Sequence, residues 1–482
     1  MGKQDSSYGL LLKIREGGNF SLWEVVLLTW QLTYPVVVSQ VAFILMRLID
    51  SKMIGSLGAN GSASIGLVES TMWLFGGIGA NFSAGFCVLV SHLLGANRKE
   101  DAHKVLKQSF VVMGLLSLML CVLGVCISSF LPMWLGADRE LYGDSSAYFR
   151  IFSLTIPVMY INALCVGMLK SSGEVKIPSV LSVLMCFLNV VFNFLMIYPS
   201  RSVSILGCSI HVFGMGWGVK GAAWGTTLAS VVVTLLMFYF LYFKSKDLCI
   251  SGEKGSFLPT WKVFKEATRI GLPMCLQHFM ICPVQILIMS IVAPMGACSI
   301  AAHSFSITIE SICYMPGFGV REAATTLVGQ SIGASRIDLM KKFAYTSLAL
   351  GISIMTLMGG VMYLFAPELI AFLTPVEEIR LLGVEILRIE AFAEPFFGAS
   401  IVSFGVYVGL GSAIIPTIMQ LFSNWGVRLS LSYLFGSFWG LKGVWIAMCL
   451  ELIFRGILFL IPFFGKGWKR VIGKRDVKKI SL

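Results

Sequence analysis

Charge is what this 482-residue chain has least of: 13% of its residues are charged and 56% are hydrophobic. Such a chain cannot clothe itself in polar groups, and a mean hydropathy of +0.83 requires that lipid face much of it. It has no G-x-x-x-x-G-K-[ST] segment, which excludes a P-loop for ATP. It has no G-x-S-x-G or comparable nucleophile motif, and its longest polar stretch, Lys244 to Lys262, is too short for a catalytic domain. Its five histidines (His92, His103, His211, His278, His303) show no metal-ligand spacing. Its twelve cysteines make no CxxC pair and are scattered through apolar runs, so they read as small buried side chains; Cys208 has no obvious loop partner. A cleavable leader is not expected, because the first apolar run, Leu22–Asp50, is too long and lacks a small-residue cleavage site. An enzyme is excluded and no cofactor is expected; an ion gradient is the remaining energy source.

What the chain does have is an internal repeat. Sliding it 238 places along itself puts Pro35 on Pro273, Gly58-Ala59 on Gly296-Ala297, Gly79 on Gly317, and Gly95-Ala96 on Gly333-Ala334. The same shift pairs Arg98 with Arg336, Arg150 with Arg388, Pro157 with Pro395, Gly173 with Gly411, and Pro178 with Pro416. Toward the end the shift falls to 222, with Trp217-Gly218 on Trp439-Gly440, so the first copy carries about sixteen extra residues around Pro199 to Met215. Two copies of one apolar unit are the architecture of many transporters.

Spanning a bilayer takes roughly twenty apolar residues. Runs of that length predict twelve helices: 22–50, 62–91, 104–131, 147–170, 177–198, 218–243, 264–292, 297–330, 339–365, 383–410, 415–435 and 441–464. The expected fold is an all-α membrane protein of two six-helix lobes, related by a pseudo-two-fold axis along the membrane normal because six crossings per copy is even. The expected organisation is a cytoplasmic segment 1–21, an N-lobe 22–243, a linker 244–262, a C-lobe 263–464 and a basic tail 465–482. Pro35, Pro157, Pro273 and Pro395 should bend their helices. The patch Tyr8–Ile14 reads as an interfacial segment. Basic residues gather in alternate loops, such as Arg98 to Lys107 and Arg336 to Lys342, and in both tails, which puts both termini in the cytoplasm of a multi-pass plasma (inner) membrane protein. The net charge of +12 is then topology signal and calls for no nucleic acid, and the 467–479 tail suits anionic headgroups.

Four segments carry a family resemblance. They are Val90-Ser-His-Leu-Leu-Gly-Ala-Asn-Arg98, Ala323-Ala-Thr-Thr-Leu-Val-Gly-Gln-Ser-Ile-Gly-Ala-Ser-Arg336, Leu48-Ile-Asp-Ser-Lys-Met-Ile-Gly-Ser-Leu-Gly58, and Gly218-Val-Lys-Gly-Ala-Ala-Trp-Gly-Thr226; Glu310-Ser-Ile-Cys-Tyr-Met-Pro-Gly317 adds to them. Over essentially its whole length the chain resembles the MATE (multidrug and toxic compound extrusion) family, and is closer to its DinF-like than its norfloxacin-type branch. The resemblance implies alternating access and exchange of a cationic or amphipathic small molecule for protons or sodium ions, by a transporter expected to be monomeric.

The resemblance also implies an ion-coupling site. Asp50 stands fifteen residues after Pro35, where DinF-like proteins carry an acid. Asn189 and Asn193 on helix five and Thr226 on helix six complete the pattern, except that the family has Asp where this chain has Asn193. These four residues are oxygen donors suited to a proton or to sodium, held less firmly for want of the second carboxylate. The other reading of Asp50 is a helix end beside Lys52 at the external surface. The norfloxacin-type acids are missing, their positions falling near Ile281 and Ala399.

Other intramembrane charges need explanation because each is costly in lipid. Glu310 and Glu69, on repeat-related helices one turn out of register, are further ion-coupling candidates. Glu390 and Glu394 are candidates for the substrate cavity, or else pair with the nearby Arg388 or another basic residue. Trp73, Gln277, His278 and Tyr314 are the remaining cavity candidates. Arg47, Arg321, Arg428 and Arg455 keep open a lipid-linked oligosaccharide flippase, whose pyrophosphate headgroup needs cations in one cavity. A major-facilitator transporter is disfavoured, since Gly95-Ala-Asn-Arg-Lys-Glu-Asp does not fit its basic loop motif; a channel or receptor would not need two equivalent lobes.

Overall fold

The computed structural model describes residues 4–205, 208–250 and 256–464, so the basic tail expected over 465–482 lies outside the described residues. In lipid every backbone polar group must be satisfied within the segment, so the apolar runs become helices. In chain order they are α1 (Gln4–Arg15), α2 (Leu22–Gly55), α3 (Gly58–Gly95), α4 (Lys99–Ile127), the short α5 (Leu131–Trp134), α6 (Tyr142–Ser172), α7 (Lys176–Ile197) and α8 (Gly218–Tyr239). The second copy follows with α9 (Trp261–Val292), α10 (Ala297–Gly333), α11 (Ile337–Leu364), the short α12 (Ala366–Leu373), α13 (Glu377–Ala391), α14 (Glu394–Gly409), α15 (Ile414–Leu421) and α16 (Leu429–Leu460). The extra residues of the first copy fold as an antiparallel hairpin, β1 (Pro199–Ile205) with β2 (Cys208–Met215).

Among the described residues nine helices are long and apolar enough to cross a membrane, or ten when α13 and α14, bent by 55°, make one span. One of the nine, Ile414–Phe463, runs for 50 residues through Gly440, whose φ of 59° and ψ of −141° break the helix. It therefore holds two spans, and with the 37-residue α10 the chain reaches the expected twelve. The break has a repeat-level cause. Gly440 is the counterpart of Gly218 (φ 53°), which follows the hairpin and opens α8. Without a hairpin in the second copy, the two helices abut directly.

The same logic holds at further backbone positions with positive φ that recur in both copies. Gly58 and Gly296 (φ 87° and 97°), Gly173 and Gly411 (91° and 74°), and even the non-glycines Asn97 and Ser335 (58° each) are repeat partners. Arg98 N donates to Leu93 O and Arg336 N to Ser331 O, both at 2.9 Å, so the two Gly-Ala-x-Arg loops close identically.

Two compact units emerge. One holds residues up to Val41, Val88–Arg98 and those from Glu266 on; the other holds Ala42–Cys87 and Lys99–Lys265. The Val88–Arg98 stretch joins the second copy through close backbone approach. A Cβ on Gly95 would sit 2.1 Å from Gln330 O, and one on Gly333 would sit 2.1 Å from His92 O. Small residues permit such crossings in membranes. In the same unit α1 does not lie free at the interface: Leu11 and Ile14 are buried, Lys13 pairs with Glu24 (2.6 Å), and Arg15 Nη2 donates to Gln330 Oε1 (3.5 Å). Of the prolines expected to bend helices, Pro395 marks the 55° break, while Pro35, Pro157 and Pro273 sit inside continuous helices.

Candidate ion-coupling site

The α7–α8 pair makes the platform for this site. Gly221 and Gly225 on α8 face α7 so closely that a Cβ on Gly221 would lie 2.3 Å from Met196 O, and one on Gly225 2.1 Å from Asn193 Oδ1. Residues four apart share a helix face, so Asn189 and Asn193 both turn from α7 toward this seam and toward α2. Asn193 Nδ2 donates to Asp50 Oδ1 at 3.0 Å and to Asn189 Oδ1 at 3.2 Å, and Asn189 Nδ2 donates to Thr226 Oγ1 at 2.9 Å. Both asparagines are buried. Asp50 does not end its helix: α2 continues to Gly55. The four residues named from sequence are thus one connected cluster within one unit.

The Asn189 amide has two productive orientations, because an amide's O and N are told apart only by their partners. With its oxygen toward Asp50, an O–H on the carboxyl is needed to satisfy the contact. Turned by 180°, its nitrogen donates to both Asp50 oxygens at 2.8 and 2.9 Å while its oxygen accepts from Thr226 Oγ1 at 2.9 Å. The first arrangement matches a neutral Asp50 and the second an ionised one, although the second also sets the Asn189 nitrogen 3.2 Å from Asn193 Nδ2, donor against donor, so the two amides respond together.

Packing alone does not require this cluster. The repeat partners of Asp50, Asn189, Asn193 and Thr226 are Ile288, Val427, Leu431 and Met448, all apolar. Ile288 and Met448 are buried in a hydrophobic core with Trp445. The same backbone frame is satisfied by hydrocarbon in one copy and carries amides and an acid in the other.

The remaining candidates are distributed differently. Glu69 is exposed and pairs with Arg47 at 2.7 Å, whereas Glu310 is buried, so the two acids, on repeat-related helices but one turn out of register, have unlike surroundings. Gln277 Nε2 donates to Gln420 Oε1 (2.7 Å), and Tyr314 packs edge-on against Phe318 and Phe397. His278 lends its carbonyl to Cys282 Sγ (3.9 Å), and Trp73 is 49% exposed. The alternative pairing of Glu390 and Glu394 with Arg388 is not formed. Arg388 turns to the Tyr363 ring (5.3 Å) and its carbonyl, because it points away from its neighbours across a helix that ends at Ala391. Sequence reasoning missed Glu451, which is buried and pairs with Arg455 (Nε to Oε1, 3.0 Å) while accepting from Ser423 Oγ. Their i, i+4 spacing was the available signal.

A family model, MatE, matches the chain twice, over residues 35–195 and 273–434. The protein belongs to the MatE family. The two matches begin at Pro35 and Pro273, the pair that defines the repeat. Among similar proteins, "Probable multidrug resistance protein NorM" of Thermotoga maritima is 24% identical, covering 94% of this chain and 95% of its own. "Uncharacterized transporter YisQ" of Bacillus subtilis is 23% identical, over 91% and 94%. A solved structure described as the outward-facing conformation of a multidrug resistance MATE family transporter superposes with a TM-score of 0.85 at 20% identity, covering 96% and 97%. This MatE protein is a multi-pass membrane protein of the MATE fold and not an enzyme.

Proposed function

We propose that this protein is a secondary antiporter that exports cationic or amphipathic small molecules in exchange for protons, with Asp50 as the coupling group. The observation that carries the reading is the copy-specific cluster: one carboxyl, two amides and a hydroxyl, joined by hydrogen bonds, where the repeat has only hydrocarbon. A membrane acid is costly and is retained where an ion is handled. Protons are favoured over sodium because the Asn193 amide aims N–H, not oxygen, at Asp50. A metal cation would meet that donor head-on, whereas a proton on Asp50 matches the Asn189 orientation that turns its oxygen to the carboxyl. The similar Thermotoga maritima protein carries a multidrug-resistance name, which supports a drug-like cargo.

Free arginines converging on one place would support the flippase reading. Instead, Arg47 is paired with Glu69, Arg455 with Glu451, Arg321 lies on the Phe404 and Phe318 rings at 4.6 and 5.4 Å, and Arg428 faces the buried acids Glu310 and Glu390, which leaves none of these four cations free for a pyrophosphate. The reading includes cytoplasmic termini, a plasma-membrane location, a monomer, and placement with the DinF-like branch through the Asp50 pattern. The test is efflux of ethidium-like dyes from reconstituted vesicles with proton and sodium gradients imposed separately. Export driven by the proton gradient is expected. Export driven by sodium alone would overturn proton coupling, and flipping of a lipid-linked sugar with no dye movement would overturn the function.

A further inference from the structure

The second copy has a polar cluster of its own, built on different positions. Glu390 closes α13 and Glu394 opens α14, on either side of the 55° break. Pro395 explains the break, since it offers no N–H to the Ala391 carbonyl and its ring crowds that turn. Neighbouring helices leave room for it: a Cβ on Gly359 of α11 would lie 2.8 Å from Ala391 O, and one on Gly456 of α16 would lie 2.5 Å from Phe396 O. Both glutamates are fully buried, at 0% exposure, and none of their four carboxyl oxygens has a hydrogen-bond partner. An ionised carboxylate left bare in a dry site is among the most costly states a side chain can adopt.

The groups facing them are Glu310 and Cys313 from α10, Glu451, Arg455 and Cys449 from α16, and Arg428 from the π-helical turn before α16, with His303 of α10 beside Arg428. Arg455 is occupied by Glu451 at 3.0 and 3.1 Å. His303 is neutral, its Nδ1 accepting from Trp445 Nε1 (3.1 Å). Among the described residues that leaves Glu310, Glu390 and Glu394 facing a single further cation, Arg428, so neutrality requires two protons. The first-copy counterparts of Glu310, Glu390, Glu394, Glu451 and Arg455 are Met72, Phe152, Ile156, Ala229 and Val233, so the repeat frame does not demand these charges.

We propose that the α13–α14 break is a proton-operated hinge, in which Glu390 and Glu394, with Glu310, hold two protons in the bent conformation and release them to water when the break changes angle. Each release breaks a carboxyl O–H bond, gives H⁺ to water, and leaves a carboxylate that must gain water or Arg428. The charge so created drives the hinge out of its dry packing. The proposal extends the proton-exchange reading to the second copy, but its tests read helix geometry and protons rather than export.

Spin labels at the exposed Leu381 and Ile414 bracket the hinge, and their separation is measured by pulsed electron resonance in acidic and alkaline buffer on the full chain. The separation should shift with pH, keep shifting in Asp50→Asn, and stop shifting in Glu390→Gln/Glu394→Gln, which imitates the protonated pair. A pH-invariant wild type, a shift abolished by Asp50→Asn, or a shift surviving the double substitution overturns the hinge. Should the double variant not fold, infrared spectra of the wild type and Asp50→Asn decide. Protonated-carboxyl carbonyl bands that persist in Asp50→Asn and vanish in alkali are expected; their absence overturns the proposal. Loss of all dye export with an intact hinge response would sink the antiporter reading alone.

Discussion

Replacing Asp50 by Asn should stop export while leaving the fold nearly untouched. In the native site Asp50 receives the Asn193 amide at 3.0 Å and faces the Asn189 amide at 2.8 and 2.9 Å. An Asn at position 50 still accepts from Asn193 and presents its own N–H to the Asn189 oxygen, so every group keeps a partner. The loss is charge assistance alone, about 1 kcal/mol. Asp50→Ala instead leaves two amides facing a void, at about 1–3 kcal/mol for each stranded group. The two variants should therefore be equally inactive but differ clearly in stability. The assay is proton-driven dye efflux from proteoliposomes at matched protein level, beside the thermal midpoint of the same preparation. Near-normal export by Asp50→Asn would refute Asp50 as the coupling group. An Asp50→Asn protein as unstable as Asp50→Ala would show that the carboxylate holds the structure and that its titration is incidental. In the same assay Asn193→Asp, which adds a second carboxylate in place of the opposing N–H, should bring in sodium dependence.

Gly225→Ala sets a methyl 2.1 Å from Asn193 Oδ1 and 2.9 Å from its backbone nitrogen, so it should cost about 1–3 kcal/mol and depress export without touching Asp50. A thermal shift of zero would contradict that contact. Gly333→Ala meets backbone, His92 O at 2.1 Å, where nothing flexible can yield. The thermal midpoint of that variant should fall clearly below the wild type, and an unchanged midpoint would contradict the crossing. Glu174, in the turn between α6 and α7, accepts from Lys246 N (2.6 Å) and Ser245 Oγ (3.3 Å), yet burial pushes its carboxyl above the ordinary range. Ionising it is therefore harder in the folded than in the unfolded chain, and this part of the stability is lost as pH rises from the ordinary carboxyl range through the raised folded value. Glu174→Gln, which cannot ionise, should gain on the wild type across that window and hold a constant margin above it, read as thermal midpoint against pH.

Composition and repetition determined a good deal without any coordinates. The lack of charge dictated lipid as solvent, and the 238-residue offset revealed two copies of one sequence; both left-handed Gly-Ala-x-Arg loops and the paired glycines follow from that repetition. The cluster of Asp50, Asn189, Asn193 and Thr226 was legible because i, i+4 spacing puts the two amides on one face and the family resemblance supplied the other two residues. Tertiary structure decided what spacing along a chain cannot express. Whether Glu69 finds Arg47, and whether Arg388 reaches Glu390 or turns to Tyr363, depend on which helix packs alongside. Charges twenty or more residues apart meet only through that packing. Repeat symmetry predicts equal backbones, and it is the side chains departing from it, amides and an acid in one copy and buried glutamates in the other, that only the folded chain could gather into sites.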